Sequence, residues 1–183
     1  FGWFLNVYIE IFRGTPMIVQ SMVIFYGSAQ AFNISLDRTW AAIFIVSINT
    51  GAYMSEIVRG GILAVDPGQF EAATALGMTH GQTMRKVVLP QVVRNILPAT
   101  GNEFVINIKD TSVLNVISVV ELYFTGNTVA TQNYQYFPTF TIIAVIYFVL
   151  TFTITRILRY IERRLDSDTY TTGANQMQVK EVK

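Results

Sequence analysis

Three long stretches of this chain carry no formal charge: Gly14 to Leu36 (23 residues), Thr39 to Ser55 (17) and Leu122 to Thr155 (34). A helix that crosses a bilayer needs about 20 consecutive, mostly apolar residues. Within lipid, only helices and closed barrels satisfy every backbone polar group. The composition points the same way. An apolar share of 51% is ordinary, but 14% charged residues is well below the roughly 25% of a typical soluble domain. The expected fold is therefore all-α and multi-pass, with spans near 16–34, 39–57 and 138–158. Thr15-Pro16 reads as an N-cap followed by proline at the first helical position, and Pro138 opens the last span in the same way.

A fourth span follows from charge bias. Loops on the cytoplasmic side are enriched in Lys and Arg. Arg13 precedes the first span; Arg59, Arg85, Lys86 and Arg94 follow the second; Arg156, Arg159, Arg163 and Arg164 follow the last. If all three regions lie inside, the chain must cross once more between Arg94 and Thr139, and the segment around 97–118 is the candidate. Eleven of the thirteen basic residues then lie inside, with Arg38 outside and Lys109 in or near the membrane. Both ends of the sequence are expected on the cytoplasmic face. The outer connection 121–137, with Tyr123, Phe124, Tyr134, Tyr136 and Phe137, fits an aromatic interface belt. The tail 165–183 is polar, mixed in charge and expected to be flexible.

Several function classes drop out. The net charge is +1, the chain has no cysteine and His80 is its single histidine, so disulfides, thiolate or His-cluster metal sites and a cysteine nucleophile are excluded. Nothing suggests a nucleic-acid partner. The sequence opens on Phe1 and shows no signal-peptide pattern; we expect that a natural N-terminus precedes it.

Between spans two and three lies a polar island. Asp66-Pro67 is a helix start, with Asp66 as N-cap and Pro67 at the first position. That helix should run to about Leu76 and stop at Gly77, which can take the left-handed cap conformation. Thr79 and Gln82 have capping-box spacing for a second helix, expected to end or kink at Pro90. A loop of amphipathic helices on the lipid surface has the same local pattern. A DNA-binding helix–turn–helix would need a denser basic footprint than Arg85-Lys86.

"EAATALGMTHGQTMRKVVLP", Glu71 to Pro90, resembles the cytoplasmic motif of ABC importer permeases: Glu71-Ala72-Ala73, then Gly77, then Val87 where isoleucine is usual, then Leu89-Pro90. "RGTP" (13–16), "AYMSEIVRGGI" (52–62), "GQFEAATALGM" (68–78) and "IKDTSVLNVISVVEL" (108–122) are similar to the polar amino-acid branch of that family. The likeness covers roughly residues 1–164, and members usually carry a further N-terminal span. It implies a permease domain over 1–164 in a bacterial cell membrane, with a coupling segment at 66–90. The partners it implies are a dimer of cytoplasmic ATPases, a second permease subunit (a copy or a paralogue) and an extracytoplasmic binding protein docking near 33–38 and 121–137. ATP and magnesium would belong to the ATPase: this sequence has no Gly-Lys pair, hence no phosphate loop, and no cofactor is expected in the chain. Glu71 would meet an ATPase arginine, and small residues at 72, 73, 75 and 77 would permit close approach.

Ionisable residues within a span are costly, and are usually functional or paired. Glu103, Asn107 and Asp110 share one helix face; they could hold a substrate ammonium or act as packing glue between helices. Lys109 points elsewhere and could meet a carboxylate. "KDTS" could also mark an unwound turn capped by the Asp110 side chain. In span two, Asn49, Tyr53 and Glu56 share a face; Asn49 and Tyr53 could line a pathway, while Glu56 could pair with Arg59 and is expected to be structural. His80 is expected at a surface or interface, and Gly60-Gly61 as a hinge or close contact. The alternative function is an ion-coupled secondary transporter run by Glu103 and Asp110, which leaves the 71–90 pattern unexplained. No catalytic triad, metal cluster or cofactor motif supports a membrane enzyme.

Overall fold

The computed structural model describes residues 2–181, with side chains as far as residue 164. The expected flexible tail, 165–183, lies outside the residues whose side chains are described. The chain is all-helical among the described residues: α1 (Gly2–Gly14), α2 (Met17–Phe32), α3 (Arg38–Leu63), α4 (Pro67–Ala75), α5 (His80–Thr83), a π turn (Met84–Val88), α6 (Leu89–Asp110), a 3-10 segment (Thr111–Ile117), α7 (Leu122–Asn133) and α8 (Tyr136–Glu181).

Two helices, Arg38–Leu63 and Tyr136–Arg164, are long and apolar enough to cross a membrane. A further candidate is a broken span, His80–Ile117 with Leu122–Asn133, bent by 54°. α2, at 16 residues, is about 24 Å long, short of the roughly 30 Å hydrocarbon core. The expected spans thus fall on α2, on α3, on α6 with its 3-10 extension, and on α8.

Four local expectations need correction. Thr15 does not cap α2; Pro16 is the N-cap, because the Thr15 hydroxyl donates back to the Ile11 carbonyl at 2.7 Å. The chain does not end its helix at Pro90. The Leu89 N–H bonds to the Met84 carbonyl across the π turn, which widens the helix where the proline ring would otherwise press on the preceding turn. Residues 2–14, for which the sequence suggested no element, form α1. The connection 121–137 is largely the helix α7.

The chain packs as two units, residues 1–56 with 103–152 and residues 57–102 with 153–183. In the first, Ala41, Ala42 and Ile45 of α3 bury against Leu114 and Ile117 of the 3-10 segment, with Ile24 and Phe25 of α2 alongside. Glu121 organises the α7 elbow. Its carboxylate accepts from the backbone N–H of Tyr123 (2.7 Å) and of Phe124 (2.5 Å), and from the Tyr147 hydroxyl of α8 (3.1 Å). Gly126 lets Ile143 approach so closely that an added Cβ would lie 2.0 Å from its Cδ1. In the second unit, Val65, Val88 and Val92 form a core with Ile62, Phe70, Met84 and Ile96 around them. There Gly61 provides close packing, as an added Cβ would meet Ile96 Cγ2 at 2.2 Å.

Candidate functional site

The segment 66–90 is built of short, fully capped pieces. Asp66 Oδ1 accepts from the Gly68 N–H at 2.7 Å, with Pro67 at the first helical position. At the other end Gly77 has φ 74°, a conformation open to glycine at little cost. The Met78 N–H reaches the Ala73 carbonyl at 3.1 Å and the Gly77 N–H reaches Thr74 at 2.9 Å, the paired bonds of a Schellman cap. The capping box then opens α5: the Thr79 N–H donates to Gln82 Oε1 at 2.9 Å, and the Gln82 N–H donates to Thr79 Oγ1 at 3.4 Å.

With both ends of α4 satisfied, the helix is a stiff block that presents Glu71, Ala72, Ala75 and Leu76 outward. Ala73, expected among the small residues that permit close approach, is only 3% exposed and packs inward. Leu76, passed over in the sequence, is 81% exposed, an apolar knob beside the left-handed glycine. Val87 is half-buried, Leu89 and Pro90 are exposed, and His80 lies on the surface.

The polar residues of the apolar helices divide into two groups. Asn49 belongs to a buried network. Its Nδ2 donates to Gln20 Oε1 at 2.9 Å and to the Phe12 carbonyl at 3.3 Å. Gln20 Nε2 in turn donates to the Phe12 carbonyl (2.9 Å), the Thr15 carbonyl (2.8 Å) and Thr15 Oγ1 (2.9 Å). Gln20 and Asn49 are 6% and 8% exposed. They tie the α1–α2 turn to α3, a structural task for a residue expected to line a pathway. Gln20 escaped sequence reading, although a polar pair, Gln20-Ser21, inside an uncharged run was the available signal. Nearby, the Arg13 guanidinium sits 3.4 Å from Glu56 and 5.6 Å from the centre of the Tyr53 ring.

The second group is on α6. Glu103, Asn107 and Asp110 span about 10 Å of one helix face. Asn107 Oδ1 accepts from the Thr50 hydroxyl at 3.0 Å. Glu103 is 9% exposed, and no hydrogen bond or ion pair joins it to another described residue. Asp110 makes no side-chain cap. The helix tightens into the 3-10 segment after it, so the expected change of winding occurs without the expected capping bond. Lys109 is exposed. Among the described residues neither carboxylate is joined to a cation by an ion pair, an arrangement suited to a positively charged guest. No group of three or more His, Cys, Asp or Glu that could hold a metal exists among the described residues.

The family model described as "Binding-protein-dependent transport system inner membrane component" matches residues 1–167. The glutamine transport system permease protein GlnP of Escherichia coli (strain K12) is 41% identical over 169 residues, covering 90% of this chain and 77% of that protein. The arginine transport system permease protein ArtQ of Bacillus subtilis (strain 168) is 38% identical over 168 residues, covering 92% and 77%. Among solved structures, the crystal structure of an amino acid ABC transporter with histidines superposes with a TM-score of 0.82 at 45% identity, covering 87% of this chain and 74% of that one. These likenesses favour a permease over an ion-coupled transporter. The chain belongs to the family of inner membrane components of binding-protein-dependent transport systems.

Proposed function

We propose that this chain is the transmembrane permease subunit of an ATP-driven importer for polar amino acids, and that residues 66–90 seat it on a separate ATPase. The observation that carries the reading is the doubly capped helix α4, which presents Glu71, Ala72 and Leu76 beside Gly77. A short helix with no frayed end can transmit a rigid-body displacement. Glu71 pairs with a cation of the ATPase, Leu76 fills an apolar seat, and Ala72 allows close contact. Val87, Leu89 and Pro90 set the exit of the segment. ATP and magnesium are held by the ATPase dimer, and no chemistry is done on the solute in this chain.

The permease domain is residues 1–164, paired with a second permease subunit in a bacterial cell membrane, with both ends of this sequence cytoplasmic. An extracytoplasmic binding protein delivers the solute to the outer connections near 33–38 and 121–137. Glu103 and Asp110 receive an ammonium group, and Asn107 orients it; Asn49 and Tyr53 support the pathway wall. The amino-acid class is supported by relatives named for glutamine and arginine, and by the neighbouring amino acid transporter structure.

The test is co-purification in gentle detergent of the full-length tagged protein from its own membranes. A P-loop ATPase should accompany the wild type and be depleted at least tenfold by Glu71→Ala with Leu76→Ala. A stable protein that transports solute without any ATPase would refute the proposal.

A further inference from the structure

Hydroxyl groups on the apolar helices mostly bond to their own backbone. Ser21 donates to the Met17 carbonyl at 2.8 Å, Ser55 to Ala52 at 2.8 Å and Thr141 to Phe137 at 2.7 Å, the local bond such a group commonly makes in a helix. Thr50 does otherwise. Its hydroxyl reaches out of α3 and donates to Asn107 Oδ1 of α6 at 3.0 Å. A threonine hydroxyl has one proton to give, and here it is spent on fixing one side of an amide. Both side chains are half-buried, and both belong to the first packing unit.

That contact decides which way the amide presents itself. An asparagine carries an acceptor oxygen and a donor NH2 group on one planar carbon. With the oxygen turned to Thr50, the NH2 group is turned away from that hydroxyl. No hydrogen bond joins Nδ2 to another described residue. It stands between Glu103, one turn before, and Asp110, one turn after, roughly 6 and 4.5 Å away along the axis. All three belong to the first packing unit. Lys109 lies nearly opposite Asn107 around the helix and is exposed.

An α-amino acid carries its ammonium and its carboxylate on one carbon. Two carboxylates alone would favour the simple amine, which has the higher positive charge. A donor set between them offsets that bias, because it holds the solute carboxylate while a neighbouring Glu103 or Asp110 holds the ammonium. A hydrogen bond to an ionised group is worth about tenfold or more in affinity. The opposite orientation would set the amide oxygen against the solute carboxylate, acceptor against acceptor. We infer that Thr50 is a positioning residue: by holding the Asn107 oxygen it keeps the NH2 group toward the solute, so that the face selects molecules with a free α-carboxylate over their decarboxylated amines. The inference rests on the reading that the face of Glu103 and Asp110 receives the solute, and not on the coupling role of residues 66–90.

The test is isothermal titration calorimetry of the full-length protein in mild detergent, in the complex that co-purifies with it and with no binding protein added. The probes are two pairs that differ only in the α-carboxylate: L-arginine with agmatine, and L-glutamine with 4-aminobutanamide. The readout is the ratio of acid to amine affinity within a pair, which a general loss of packing would not move. Thr50→Val keeps the shape of the side chain but removes the donor, and should shift the ratio toward the amine by about tenfold. Thr50→Ser keeps the hydroxyl and should hold the wild-type ratio. Asn107→Asp puts an oxygen where the NH2 group stands and should give a shift in the same direction, which keeps the inference testable if Thr50→Val does not fold. Glu103→Gln should weaken acid and amine alike. An unchanged ratio in Thr50→Val or Asn107→Asp, including an equal loss for both members of a pair, would overturn the inference and leave the solute site standing. If the wild type binds neither pair, or if Glu103→Gln changes nothing, the reading of this face as a solute site fails and the inference falls with it.

Discussion

Joint removal of Gln20 and Asn49 should cost less than the sum of the two separate losses. Gln20 Nε2 has two hydrogens shared among three acceptors, and Gln20 Oε1 takes one from Asn49. Gln20→Ala leaves the carbonyls of Phe12 and Thr15 short of donors in a site that is 6% exposed. Leaving buried groups unpaired costs about 1–3 kcal/mol, but Asn49 keeps its longer bond to Phe12, which places the loss near 2 kcal/mol. Asn49→Ala strips Gln20 Oε1 of its donor and should cost about 1 kcal/mol. Hydrogen bonds between helices in membranes average roughly 0.6 kcal/mol and reach about 1.7, so the coupling energy should fall near 1 kcal/mol. The assay is reversible unfolding of the full-length protein in mixed micelles by a denaturing detergent, for the wild type, both single variants and the double variant. Additivity within about 0.3 kcal/mol would show that the two amides act independently and would refute a connected network.

Two further outcomes follow from the packing. Gly126→Ala should destabilise the α7–α8 contact by about 1–3 kcal/mol, since its Cβ would fall 2.0 Å from Ile143 Cδ1. Ile143→Val should restore part of that loss in the same unfolding assay, and equal destabilisation with and without it would contradict the contact. Gly77→Val places a β-branched residue at φ 74° at a cost of about 1–2 kcal/mol. Faster amide hydrogen exchange at positions 77 and 78 of the variant should report it, and unchanged protection would argue against the Schellman cap.

The helices most readily legible in the sequence are those whose signal is local. The uncharged runs locate α2, α3 and α8, and Asp66-Pro67, Gly77 and the Thr79–Gln82 pair fix the ends of α4 and the start of α5 within a residue. What escaped depends on partners distant along the chain. Gln20 gains its role from Asn49, 29 residues away. The inward turn of Ala73 depends on tertiary packing that its small, neutral side chain does not announce. Thr15 looks like an N-cap until its hydroxyl is seen to bond backward to Ile11. Pro90 looks like a stop, and only the π turn before it shows how the helix continues. At the candidate site, the shared face of Glu103, Asn107 and Asp110 was readable from spacing alone. That Asn107 is engaged by Thr50, while Glu103 has no such partner among the described residues, required the structure.

The carboxylate of Glu121 also bears on how the chain is made. It can cap α7 as soon as Tyr123 and Phe124 follow it from the ribosome. Tyr147 lies 26 residues behind it. At about 5–20 residues per second, that residue is added roughly one to five seconds later. Ile143 arrives in the same interval to settle on Gly126. The elbow of α7 can thus be wound early but locked only when α8 is threaded. Chains that stall before the last helix should display α7 capped yet unclamped, a form that quality-control proteases could distinguish from the finished protein.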